Sequence, residues 1–266
     1  MSLKETLKIG LNLQSGRSIT VLADDVFIVS YPKSGNTWTR FLIGCVYHGE
    51  AITFATLEKK VPDIYQNHNK VLLKFPRPRL IKSHEYFEPR YKKVVYIVRD
   101  PRDVAVSYYF HCRKFNLMKD SVTIEEFAPA FLRGDLDVFG SWGENVGSWI
   151  GARGQSPDFL LLRYEDLQTD TLGELRKTAK FLGLSPREDL LRLAVESSSA
   201  DVMREQEQTQ GEKWKGLRET RKDIPFVRTA RAGGWRESLP PAIARQIETA
   251  WAAPMRQLGY LDSAAK

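Results

Sequence analysis

The chain has little cysteine: two residues in 266, Cys45 and Cys112, with no metal-ligand spacing about either. That argues against a disulfide-stapled scaffold and a thiolate metal centre, fits a reducing compartment, and leaves both thiols as small packing groups. Long apolar runs are absent as well. Nowhere do about 18 apolar residues follow one another, so no membrane-spanning helix is expected. The opening residues, Met1 to Glu5, lack the apolar core of a secretory signal, and a soluble, cytoplasmic protein is the expectation. No internal repeat or low-complexity tract occurs, which removes solenoids and compositionally disordered arrays.

What is present is an excess of positive charge. Lysine and arginine number 40 against 33 acidic residues, a net +7 that favours anionic partners. A nucleotide, a nucleic acid and an acidic membrane surface all satisfy that condition. The length suits one α/β domain over residues 1–266, and no break in composition argues for two. β-rich runs recur at 26–30, 79–82, 93–98 and 159–162, with helix-like stretches at 38–47, 103–110, 171–182 and 241–258. Near-continuous apolar strands alternating with helices predict a central parallel sheet flanked by helices. Ligands of such folds bind beyond the carboxyl ends of the strands. Each run ends there in a polar cluster: Tyr31-Pro32-Lys33, Ser83-His84, Arg99-Asp100-Pro101 and Arg163-Tyr164-Glu165-Asp166. The stretch 205–222 is dominated by Gln, Glu, Lys and Arg. It reads as too poor in apolar residues for core, and as part of a mobile lid over 205–235.

The first of these junctions is nearly a nucleotide-binding P-loop. Laid over residues 30–37, the pattern G-x-x-x-x-G-K-[ST] finds Gly35 and Thr37 in place, Ser30 at the first glycine, and Asn36 where the lysine belongs. The lysine stands instead at Lys33. Backbone N–H groups and a helix N-terminus remain on offer to an oxyanion, so a phosphate is still expected here. The oxygen that the ammonium neutralises differs.

Lys82 and His84 lie two apart at a strand end and so point to the same side. A cation beside a group that accepts a proton near neutral pH suits activation of a hydroxyl. Taken alone, such a pair is more often solvated surface; its position among the other strand ends is what singles it out. In Arg99-Asp100-Pro101-Arg102-Asp103, proline suits the first helical turn and Asp103 reads as the cap. Arg99 and Ser107 can grip a second phosphate there, or be incidental to the cap. Trp38 and Tyr164 flank two polar strand ends, where an aromatic stacks on a purine or fills core. Arg228 and Arg231 with Gly233 and Gly234 suit an anion-closing loop or a basic surface turn. His48, His68 and His111 show no telling partner and are given no role.

Together these residues resemble the cytosolic-type sulfotransferases, which use 3′-phosphoadenosine 5′-phosphosulfate (PAPS). The family's Y-P-K-S-G-[TN]-T-W is matched by Tyr31 to Trp38, and its K-[ST]-H by Lys82-Ser83-His84. Its R-[DN]-x-[RK]-D-x-x-V-S-x-Y is approximated by Arg99 to Tyr108, and its Y-E-D matched by Tyr164-Glu165-Asp166. The resemblance implies a P-loop NTPase-like domain and a metal-free reaction that leaves adenosine 3′,5′-bisphosphate. It implies that Lys33, Ser34, Gly35, Asn36 and Thr37 hold the 5′-phosphosulfate and that Trp38, Tyr164 and Ser198 meet the adenine. Arg99, Ser107 and Arg228 fall on the 3′-phosphate side, and Thr229 and Ala230 beside them are cofactor-binding candidates as well. His84 matches the catalytic base, with Lys33 and Lys82 assisting at the transferred group.

Two departures stand out. The family's late R-K-G-x-x-G-D-W-K appears as Arg228-Thr229-Ala230-Arg231-Ala232-Gly233-Gly234-Trp235-Arg236, without its second basic residue and first glycine. Ala200 stands where animal members carry a phenylalanine beside the adenine. The short C-terminal dimer motif has no copy, leaving monomer and homodimer both open. An ATP-dependent small-molecule kinase with a degenerate P-loop is the alternative enzyme, with Asn36 arguing against it. A nucleic-acid module is the non-enzymatic rival, and it is disfavoured because acidic residues are mixed through almost every basic stretch. The expected partner is a small-molecule acceptor, bound by 48–78, 111–145 and the lid.

Overall fold

The computed structural model of the protein describes residues 18–185 and 187–262. Four strands, β1 (Val26–Ser30), β2 (Leu80–Ser83), β3 (Lys93–Val98) and β4 (Phe159–Arg163), form one parallel sheet in the order β2-β1-β3-β4. The four sequence runs coincide with them to within a residue. Alternation explains why they read as continuous apolar stretches. Phe27, Val29, Ile81, Val94, Tyr96 and Val98 enter one core, while Val26, Ile28, Leu80, Val95, Ile97 and Leu162 enter the other. Both faces are covered, so both registers of every strand are apolar.

The helices are α1 (Asn36–His48), α2 (Leu57–Lys60), α3 (Asn69–Leu72), α4 (Pro101–Lys114), α5 (Ile124–Arg133), α6 (Trp142–Arg153) and α7 (Tyr164–Thr169). After them come α8 (Thr171–Phe181), α9 (Glu188–Ser197), α10 (Ala200–Gln210), α11 (Trp235–Ser238), α12 (Pro241–Ala250) and α13 (Ala252–Gln257). Tyr108 of α4, Phe131 of α5, Trp149 of α6 and Ile247 of α12 fill the first core. Phe41 of α1, Leu175 of α8 and Leu191 of α9 fill the second. β1 runs out to β2 on one side, and the chain then crosses back to β3 on the other. The resulting crevice at the carboxyl ends of β1 and β3 is where such sheets take ligands. Among the described residues, no helix is long and apolar enough to cross a membrane.

Three expectations are corrected. α4 starts at Pro101 and is capped by Asp100, whose carboxylate accepts from the Arg102 amide, so Asp103 is not the cap. Proline pre-sets the first helical position, which makes the preceding residue the cap. Asp103 is thereby free to accept from the amides of Gly233 and Trp235, at 2.7 and 2.8 Å. The stretch 241–258 is two helices, broken at Trp251: Pro254 has no N–H to donate to the Ala250 carbonyl and its ring crowds that carbonyl.

Finally, the polar stretch 205–222 contributes to the core. It begins inside α10, continues through a 3₁₀ turn at Gly211–Lys213, and buries Trp214 and Leu217. Trp214 stacks on Phe54 with ring centroids 5.3 Å apart, and its indole N–H donates to Glu58 at 3.1 Å. Average composition hid two anchors placed one turn apart. Trp214→Ala should therefore lower unfolding free energy by about 3–5 kcal/mol; denaturant titration showing no loss would mean the segment is not anchored.

Candidate active site

β1 delivers the chain into a loop with two left-handed residues, Lys33 at φ 67° and Gly35 at φ 95°. Glycine is required at 35: a Cβ there would lie 2.5 Å from the Tyr164 ring. α1 begins at Asn36, leaving its first amides unbonded within the helix and its positive end facing the crevice. The Asn36 side chain turns inward, donating to Ser30 Oγ at 3.1 Å and to the Ile28 carbonyl at 3.4 Å. The slot that a P-loop lysine would occupy thus serves to fasten the loop to β1.

At the end of β2, Lys82 is buried against Asp63, Nζ to Oδ2 2.8 Å, and stands 4.8 Å from the centroid of the Tyr65 ring. His84 Nδ1 lies 2.7 Å from the carbonyl oxygen of Ser30. A carbonyl only accepts, so Nδ1 carries the proton and Nε2 is left as a free base. The backbone of His84 is fixed as well, its N–H donating to Tyr65 Oη at 2.9 Å and its carbonyl accepting from Asn145 at 3.0 Å. Burial, then the Lys82 charge, hold the imidazole well below its usual range and keep it neutral.

At the end of β3, the Arg99 guanidinium lies over the Tyr164 ring at 4.2 Å and donates to the Arg231 carbonyl at 3.0 Å. Its Nε is buried with no partner among the described residues. Trp38 meets Tyr164 edge to face at 5.6 Å and donates to the Ser198 carbonyl at 3.0 Å. The Ser198 hydroxyl turns away to the Ala194 carbonyl at 2.6 Å. Arg228 stands 4.5 Å from the Phe110 ring centroid, and burial followed by the Arg99 charge draws it below its usual range.

These elements surround one cavity of about 990 Å³. Of the residues singled out in the sequence, Lys33, Gly35, Asn36, Thr37, Trp38, Lys82 and His84 line it, as do Arg99, Ser107, Tyr164, Ser198, Arg228, Thr229 and Ala230. Ser34 does not reach the wall; it is buried behind it, and its hydroxyl has no partner. Ala200 lies on the wall too. Lys33 is drawn down to about 8, first by burial and then, among the charges, by Arg99, Lys82 and Lys114.

Several wall residues had no sequence signal. Asp63 and Tyr65 hold Lys82 and His84 from a stretch read only as variable loop. His111, given no role, lies with Nδ1 3.4 Å from Lys33 Nζ. Its spacing of one helical turn from Ser107 was the cue that was available. Asp137 accepts from Tyr108 Oη and is pushed up by burial to about 6. Gln168 reaches across to the loop after Arg228.

A family model of the sulfotransferase domain matches residues 23–259. Sulfotransferase 2A6 of Rattus norvegicus is 31% identical over 261 residues, covering 92% of this chain and 87% of that protein. The crystal structure of mouse sulfotransferase SULT7A1 complexed with PAP superposes with a TM-score of 0.72 at 26% identity, covering 96% of this chain and 90% of that one. Retinol dehydratase in complex with androsterone and PAP shares the fold, with a TM-score of 0.77 at 21% identity over 98% of this chain and 87% of that one. With the match running through all four strands and the loop after β1, this chain belongs to the sulfotransferase domain family and is an enzyme of that kind.

Proposed function

We propose that the enzyme moves the sulfuryl group of PAPS to a hydroxyl or amino group of a small-molecule acceptor, releasing adenosine 3′,5′-bisphosphate (PAP). The observation that carries this reading is the gathering of Lys33, Lys82, Arg99 and Arg228 on one cavity with little opposing charge. Lys82 has a close carboxylate, Asp63 at 2.8 Å, whereas Arg99 reaches Asp103 only at 3.9 Å. The residues fit a doubly phosphorylated adenosine. Arg99, on the cavity wall, has its Nε buried and unpartnered among the described residues, as a group meant for a ligand oxygen is, and Gly35 lets the backbone approach closely. PAP is also the ligand of the mouse relative described above. The inward hydrogen bonds of Asn36 disfavour ATP, because no lysine is left at the start of α1 to reach its terminal phosphates.

In this reading the loop after β1 takes the phosphosulfate end, while Arg99, Ser107 and Arg228 take the 3′-phosphate. Trp38 and Tyr164 bound the adenine. The acceptor oxygen or nitrogen attacks sulfur in line as Nε2 of His84 removes its proton. The sulfur–oxygen bond to the 5′-phosphate breaks and its electron pair stays on that oxygen, where Lys33 neutralises the charge. Lys82, which burial draws downward and Asp63 at 2.8 Å pulls back up, faces the sulfuryl oxygens. Catalysis then rests on positioning and charge stabilisation, as in phosphoryl transfer. Tyr65 and Phe139 flank the His84 ring at 6.1 and 5.5 Å, a wall suited to an acceptor with an apolar body.

His84→Ala should reduce turnover by about 10²–10⁴-fold while calorimetry finds PAP binding retained; near-normal turnover would remove His84 as the base. Arg99→Leu should weaken PAP binding far more than 5′-AMP binding, and equal losses would mean that the 3′-phosphate sits elsewhere. The third expectation concerns pH. Lys33 titrates near 8 in the free enzyme, and its cation is the form that binds the anion. Affinity is therefore complete below that value and falls above it, by about tenfold between pH 7 and pH 9. Lys33→Arg should flatten that fall, and a wild-type affinity constant from pH 7 to 9 would contradict the assignment.

A further inference from the structure

Ala230 stands where the family's late motif has its first glycine, and its φ is 50°. That left-handed bend brings Cβ against the following carbonyl oxygen, a clash every residue but glycine meets. The bend nevertheless forms part of the cavity wall beside Arg228. Gln168 of α7 spans it. Its Nε2 donates to the Ala230 carbonyl, and its Oε1 accepts from the Ala232 amide at 2.6 Å. One amide side chain thus makes the pair of bonds that a neighbouring strand would make. On one flank, Arg204 donates to the carbonyls of Val227 and Arg228 at 3.2 and 3.0 Å. On the other, Asp103 accepts from Gly233 and Trp235. Of these contacts, the one made by Gln168 reaches the strained residue itself, at its carbonyl, and closes on the amide two residues on.

We infer that Gln168 is a positioning residue, whose amide clamps Ala230 and Ala232 so that an alanine holds the bend and Arg228 stays directed at the 3′-phosphate. The link to that phosphate rests on the donor proposed above, whereas the clamp itself exists before any donor binds. Gln168 touches no reacting atom. Its effect passes through the backbone of 228–232, so a loss of the clamp changes how well Arg228 is placed rather than the chemistry at sulfur.

The test uses full-length wild type, Gln168→Leu, Ala230→Gly and the double variant. Amide hydrogen exchange is followed over 228–232, and calorimetry is run with PAP and with 5′-AMP. Gln168→Leu should speed exchange in the loop and weaken PAP binding roughly 5–30-fold, the factor to which about 1–2 kcal/mol corresponds, with 5′-AMP affinity nearly unchanged. Ala230→Gly added to Gln168→Leu should recover part of the PAP affinity, because glycine holds the bend unaided. Unchanged exchange and PAP affinity in Gln168→Leu would overturn the clamp, as would equal losses for both nucleotides. Failure of the glycine to rescue would overturn the role of strain. If wild type itself binds PAP no better than 5′-AMP, the donor reading fails, while loop exchange still reports on the clamp.

Discussion

Positive charge held out of water, with only Lys82 closely matched by a carboxylate, is the constraint on which this site is built. Each of its four principal cations lies over an aromatic face: Lys33 over Phe226 at 5.0 Å, Lys82 over Tyr65 at 4.8 Å, Arg99 over Tyr164 at 4.2 Å and Arg228 over Phe110 at 4.5 Å. A ring attracts a cation by about 0.5–2 kcal/mol without neutralising it. Carboxylates would stabilise the empty site more and would have to be displaced by a ligand phosphate. At Lys33, Arg99 and Arg228 rings hold the cation in place and leave its charge available, whereas Lys82 keeps Asp63 at 2.8 Å beside its ring. The cost appears in Lys33 and Arg228, both drawn downward by burial first and by neighbouring cations after it.

Holding like charges together requires rigid neighbours, and the six residues of α7 supply many of them. Tyr164 fills the space over Gly35, receives the edge of Trp38 and lies under Arg99. Glu165 accepts from the Asp100 amide at 3.0 Å and from Tyr260 Oη at 2.9 Å, joining the end of β3 to the C-terminal part of the chain. Leu167 enters the core, and Gln168 holds the loop after Arg228. On the opposite wall Lys114 does similar work, bonding the Arg221 and Ile224 carbonyls and Glu207, which in turn receives the Phe226 and Val227 amides. The ring beneath Lys33 is positioned by that network.

Local chemistry made part of this legible from the sequence. Strands buried on both faces announce themselves as apolar runs, and their carboxyl ends point to a common edge, so the residues at those ends line one cavity. α5 and α6 were missed although both carry capping boxes, Thr123 with Glu126 and Ser141 with Glu144. Their caps were there to be read; their place beside the first core was not. Asp103, Trp214, His111 and Gln168 owe their roles to partners far along the chain. Gln168 is 62 residues from Ala230, and nothing in the short segment Asp166-Leu167-Gln168 distinguishes its amide from one that meets only water.

Two departures from ordinary local structure in this wall answer one another. Lys33 and Ala230 are non-glycine residues in the left-handed region, as is Glu219 at φ 62°, and all three line the cavity. Such strain persists only where surroundings over-determine it. For Lys33 the surroundings are Asn36 and Gly35, which fasten the loop beneath it, and Phe226 and His111, which meet its ammonium. For Ala230 they are Gln168 and, through Arg228, Arg204. On the proposed reading, these loops grasp opposite ends of one bisphosphate, and Arg99 lies between them, over Tyr164 and bonded to Arg231. A loop free to relax would swing its cation away from its neighbours, since repulsion favours separation. Strain fixed from outside prevents that, so the site meets its anion with the charges already assembled and little reorganisation left to make.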